Sequence, residues 1–168
     1  DAIPDDGFKA SPFRVAPSYM TRHDIVYQSP MQLEAEGFPL GNGNMGGLIW
    51  THDNGIELQI NKNDVWSGPE DGKAGGPMAV PRHCARVKVD FGMPVFSWIH
   101  HMNDFTGRLS LATGETTIRA KSGHVETEVR SWLAHDRNVW VIECANTWNT
   151  KIVAEEKSVA RVSMERIG

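Results

Sequence analysis

Between Ile56 and Ile60 the chain reads Ile-Glu-Leu-Gln-Ile, an apolar–polar alternation of period two. Successive side chains of a strand point to opposite faces, so this run predicts a strand with one dry and one wet face. Asp53-Asn54-Gly55 precedes it, and Gly47-Leu48-Ile49-Trp50 precedes that turn signal. Asn-Gly tolerates the positive φ angles of a two-residue hairpin, so Asn54-Gly55 is expected in a hairpin turn. The same rhythm continues downstream. Val87-Lys88-Val89 reads as a strand, and Arg108–Leu111 runs to a turn near Thr113-Gly114. Thr116–Ala120 follows, then a turn at Ser122-Gly123 and a strand at Val125–Val129. His135–Asn138 separates that run from Val139-Trp140-Val141-Ile142, an apolar stretch suited to a central strand. Lys151–Val153 and Ala160–Met164 are weaker strand candidates.

Turns about every ten residues, with β-branched runs between them and no sustained helical stripe, predict an all-β antiparallel sandwich with little helix. Residues 1–23 carry little pattern and are expected to form an irregular arm, with the sandwich over 24–168. Glycine and proline cluster from Ser67 to Pro81, which predicts a long loop between strands.

Composition removes several function classes. Seventeen Lys+Arg against 21 Asp+Glu give a net charge of −4, the reverse of the basic excess usual in nucleic-acid binders, so no nucleic-acid partner is expected. No apolar run approaches the roughly 20 residues of a membrane-spanning helix. The chain opens on Asp1 rather than Met, so an export signal is expected to have been removed, which implies a secreted or periplasmic protein. Cys84 and Cys144 match no metal spacing; a disulfide and two free thiols both remain open.

Gly41-Asn42-Gly43-Asn44-Met45-Gly46 satisfies G-x-G-x-x-G in form. Dinucleotide binding needs a strand before that motif and a helix after it, whose N-terminus holds the pyrophosphate. Here a strand follows, so the glycines are read as serving a tight irregular turn. No cofactor is expected. His83, His124 and Asp104 accompany His100-His101, but adjacent strand histidines point to opposite faces, and no metal site is assigned.

Asn42, Asn44, Asn61, Asn63, Asp64 and Trp66 form a denser polar–aromatic group than loops usually carry. Amides and carboxylates match sugar hydroxyls, and an indole face packs on pyranose C–H groups, so these six are candidate substrate-binding residues. The competing reading makes the asparagines turn caps and Trp66 a core or domain-interface residue; it is favoured for Trp66, and the backbone role is favoured for Asn42 and Asn44.

Phe38-Pro39-Leu40-Gly41-Asn42-Gly43-Asn44-Met45-Gly46-Gly47-Leu48-Ile49 resembles the P-L-G-N-G-x-[LM]-G segment of family 95 glycoside hydrolases. Ile56–Gly68, ending Asp64-Val65-Trp66-Ser67-Gly68, is similar to that family's I-x-L-N-E-D-T-L-W-S-G element, with Lys62-Asn63 where the family has Glu-Asp. Tyr27–Pro30 is similar to the opening tyrosine-x-x-proline stretch of the same family, and Asn103–Gly114 and Thr127–Ile142 to later stretches in the same order, whereas 81–101 matches poorly. The resemblance implies a supersandwich-like β-domain followed by an (α/α)6 barrel that cleaves α-L-fucosides or related sugars with inversion. Inversion uses two carboxyl groups roughly 6.5–9.5 Å apart. The family's acid lies in the helical barrel, so no catalytic residue is carried onto this chain. The expected role is therefore a non-catalytic N-terminal domain that supports the helical domain and edges its carbohydrate cleft. The expected partners are a carbohydrate and that helical domain. A stand-alone carbohydrate-binding module, marked by coplanar exposed aromatics, and a purely structural β-domain are the alternatives.

Overall fold

The computed structural model describes residues 17–67, 80–97, 104–122, 125–148 and 160–166. A four-residue helix at Pro17–Met20 and a short turn of helix at Thr21–His23 lead into β1 (Ile25–Tyr27). After a second helical turn at Glu34–Glu36 come β2 (Phe38–Gly41), β3 (Met45–His52), β4 (Gly55–Ser67) and β5 (Val80–Asp90). Then follow β6 (Phe105–Ser110), β7 (Glu115–Ser122), β8 (Val125–Leu133), β9 (Trp140–Trp148) and β10 (Arg161–Arg166).

These strands form two five-stranded antiparallel sheets, ordered β1-β6-β7-β8-β9 and β10-β5-β4-β3-β2. The fold is the expected antiparallel sandwich. Its core lies between inner faces set by the period-two pattern. Ile49, Ile56 and Leu58 come from one sheet, Leu109, Ile118 and Val129 from the other, all buried. Full burial of such side chains is worth about 1.5–3 kcal/mol each against exposure. Phe38 of β2 ties the layers together. Its ring centroid lies 5.2 Å from that of Tyr27, and it sits so close over Gly107 that a Cβ there would meet the ring at 3.2 Å. Outside the core, Asp24 accepts from the Leu111 N–H at 2.9 Å and from the Arg108 guanidinium at 2.5 Å, pinning the entry to β1 onto the end of β6. The Leu111 bond, then Arg108, hold its carboxyl below the usual carboxylate range.

Several details differ from the sequence reading. The β3–β4 hairpin is present, but its two-residue turn is Asp53-Asn54, with His52 opposite Gly55. No residue of that turn has a positive φ, and Gly55 is already in the strand. Glycine serves close approach instead: a Cβ at Gly55 would stand 1.9 Å from the Val89 carbonyl oxygen. The apolar run at Val139–Ile142 makes an edge strand rather than a central one, since β9 ends its sheet. Trp140 and Ile142 pack against the core from that edge, while Val139 is exposed. Strands β4 and β5 also run further into the glycine-rich region than expected, pairing as far as Ser67 with Val80.

The Ser122-Gly123 turn, the Lys151–Val153 candidate, the loop residues 68–79 and the arm before Pro17 lie wholly or partly outside the described residues. Cys84 and Cys144 are free thiols, and desolvation pushes the Cys144 thiol up to about 11.

Candidate functional site: a loop cluster at one end of the sandwich

The turn between β2 and β3 is built on the Asn42 side chain. Its Oδ1 accepts from the Met45 N–H at 2.8 Å and the Asn44 N–H at 3.1 Å, while the Asn42 N–H donates to the Met45 carbonyl at 3.0 Å. Gly43, at φ +90°, makes the bend that lets those groups converge. The Asn42 Nδ2 then leaves the turn. It donates to the Ala134 carbonyl at 2.9 Å and the Arg137 carbonyl at 3.1 Å, both in the loop between β8 and β9 of the opposite sheet. Asn44 joins the same loop through its Nδ2, 3.2 Å from the Asn138 Oδ1. The backbone roles favoured for Asn42 and Asn44 are thus visible atom by atom, and both amides reach beyond the turn.

The second motif meets the first at this end. Gly46 stands opposite Asn61 in the β3–β4 register, and the Asn63 N–H donates to the Asn44 carbonyl at 3.1 Å. Beyond Ile60 the pairing of β4 with β5 shifts register, first at Asn61 and again before Trp66. Lys62 and Asp64 form an ion pair whose hydrogen bond holds the Asp64 carboxyl below its ordinary value. Trp66 donates its indole N–H to the Asn63 carbonyl at 2.7 Å yet is 55% exposed, so it does not fill the sandwich core.

Two groupings were not foreseen from the sequence. The β8–β9 loop contributes Asp136, Arg137 and Asn138, with Asp136 paired to Arg137 at 2.7 Å. On the outer face of the other sheet, Glu34 pairs with Arg86 at 2.7 Å, and Arg86 donates to the Gln59 Oε1 at 3.2 Å. Gln59 in turn lies 2.8 Å from the His83 ring nitrogen, which is also 2.8 Å from the Asn61 Oδ1. The Arg86 guanidinium covers the buried Trp50 ring at 5.4 Å. Gln59 and Arg86 are direct partners across β4 and β5, a register that period-two alternation does not disclose.

Chemically this end presents side-chain amides, two carboxylates paired with cations and an exposed indole. An inverting hydrolase needs one carboxyl group kept protonated near neutrality. Asp64 and Asp136 both shift the other way, each held low by a hydrogen bond from a neighbouring cation, Lys62 and Arg137 respectively. Among the described tryptophan side chains Trp66 alone is exposed; Trp50 is buried, and Trp132 and Trp140 are partly buried. A row of exposed aromatics is therefore not formed by the described residues. His100, His101 and His124 lie outside them, as do Trp98 and the Trp148 side chain.

Residues 25–88 match the family model described as glycosyl hydrolase family 65, N-terminal domain. The match supports a glycoside hydrolase N-terminal domain. It spans β1 to the later part of β5, and so includes both segments that meet at this end. It names family 65, not the family 95 whose motifs the sequence resembles. No curated protein matches the chain. Among the described residues, no helix is long and apolar enough to cross a membrane.

Proposed function

We propose that this chain is the non-catalytic N-terminal β-sandwich of a glycoside hydrolase whose motifs resemble those of family 95, and that its loop cluster faces the helical catalytic domain and its sugar. The observation that carries the reading is the bond from the Asn63 N–H to the Asn44 carbonyl. Through it the two most family-like segments share one edge, and Trp66 stands exposed on the same arm. Asn63, Asp64 and Trp66 are the side chains we assign to the carbohydrate or to the domain interface that shapes its cleft. Asn42, Asn44 and Asn61 support them from beneath. The lowered acids at this end support an accessory role, with the chemistry supplied by another domain.

The test is kinetic. In the catalytically complete protein, Asn63→Ala and Trp66→Ala are compared with Asn54→Ala, which lies at the opposite end of the β3–β4 hairpin. Loss of an indole contact worth about 1.4 kcal/mol raises KM or lowers kcat/KM roughly tenfold. The Asn54 variant should leave both unchanged. Wild-type constants in folded Asn63 and Trp66 variants would end this reading.

A further inference from the structure

The chemistry of residue 42 goes beyond making a turn. A β2–β3 turn held by a side-chain oxygen needs an acceptor alone, and aspartate supplies that as well as asparagine. The Asn42 Oδ1 does this work, accepting from Asn44 and Met45. Its two amide protons are spent elsewhere, on the carbonyls of Ala134 and Arg137, residues 92 and 95 positions away in sequence. Those carbonyls belong to the loop that leaves β8, in the sheet that faces the turn. The loop itself is held by few backbone bonds: Ala134 N–H to the Val139 carbonyl and Val139 N–H to the Arg137 carbonyl, each 2.9 Å. His135, Asp136, Arg137 and Asn138 are all exposed. A loop so lightly bonded is open to local excursions unless something fastens it.

We propose that Asn42 is the positioning residue of this end of the sandwich. Its amide locks the β8–β9 loop onto the β2–β3 turn, and Asn44 adds a second tie to Asn138 while passing its carbonyl to Asn63. Three segments that are distant in sequence, 41–45, 61–66 and 134–139, are thereby held as one surface. Asp136, Arg137 and Asn138 join Asn63 and Trp66 on the face that meets the partner. This last consequence rests on the carbohydrate-edge reading; the lock itself does not.

Asn42→Asp separates the two roles. The carboxylate keeps the acceptor for Asn44 and Met45 but loses both donors and sets an oxygen against two carbonyl oxygens. Amide exchange is followed by NMR in the folded variant. The Ala134 and Val139 amides should exchange at least about tenfold faster, while the Asn44 and Met45 amides keep their protection. Unchanged exchange at Ala134 and Val139 overturns the lock. So does an equal acceleration at core amides such as Leu58 and Val129, which would mark general destabilisation only. Should the aspartate variant fail to fold, Asn138→Ala removes the Asn44 tie without touching the turn. It should speed Val139 exchange by a smaller factor, and no change there would also overturn the proposal. In the catalytically complete protein, Asn42→Asp should raise KM with kcat kept. Loop exchange that depends on Asn42 with KM unmoved supports the lock and retires the carbohydrate-edge reading.

Discussion

The outer face of the sheet containing β6 to β9 and the loop cluster at its end are held by different chemistry. On the outer face, cross-strand ion pairs form a ladder: Arg119 with Glu128 at 3.0 Å, and Arg130 with Glu115 at 2.8 Å and Glu143 at 3.1 Å. All lie in solvent on strands already fixed by backbone bonds, where such pairs contribute about 0–1 kcal/mol each. At the loop cluster the ladders end or shift register: β2–β3 stops at Gly41 opposite Gly46, and β4–β5 is irregular between Asn61 and Trp66. Side-chain amides replace them, each satisfied by a specific carbonyl or N–H across a sheet-to-sheet gap. This second surface fixes its own shape and leaves the Trp66 indole exposed. The difference lies in what each set of polar groups holds in place, not in how many there are.

The largest expected effect lies where the cluster is anchored to the sandwich. A Cβ at Gly47 would stand 1.8 Å from the Gln59 carbonyl oxygen and 3.0 Å from the Trp140 ring. Gly47→Ala must push β3 off β4 within their own sheet, which moving Trp140 alone cannot avoid, and should cost about 3 kcal/mol or more in a urea titration. A variant as stable as the wild type would mean that β3 and β4 do not lie as close at Gly47 as described. Arg130→Ala, on the other surface, marks the small end of the scale. It removes two exposed ion pairs and a contact with the Trp132 ring at 5.7 Å, and should cost about 1 kcal/mol or less, with the difference shrinking at high salt. A larger loss that is insensitive to salt would show that the outer face is not the simple solvated surface inferred from its ion pairs.

Much of the fold was legible because strands repeat with period two, and that period marks a strand whatever its partners are. Ile56–Ile60 and Val125–Val129 announced themselves in this way, and the β3–β4 turn was placed within one residue. Pairing was less legible. Val139–Ile142 read as central because it is apolar on both faces, yet its place at the sheet edge depends on which strands lie beside it. The candidate site was legible as a list of residues but not as a structure. Asn42 was visible as a turn residue, whereas its partners Ala134 and Arg137 offer only backbone carbonyls, which leave no mark on side-chain identity. Gln59 and Arg86 were missed for a related reason, and His83 was noted only beside His100-His101. The alternation of β4 puts Gln59 on the wet face, yet it is buried once the register sets it against Arg86 and His83.

The contrast between the two surfaces is tested most directly by oxidative footprinting of two tryptophans. Trp66 stands on the arm of the loop cluster, and Trp132 shares the outer face with Arg130. Both are labelled in this chain alone and in the catalytically complete protein. The account predicts that Trp66 is reactive in the isolated chain and protected by at least about fivefold in the complete protein, because an exposed indole is covered on docking. Trp132 should react equally in both. Protection of Trp132 with Trp66 unchanged would place the partner on the ion-pair ladder and contradict the assignment of the loop cluster as the contact surface.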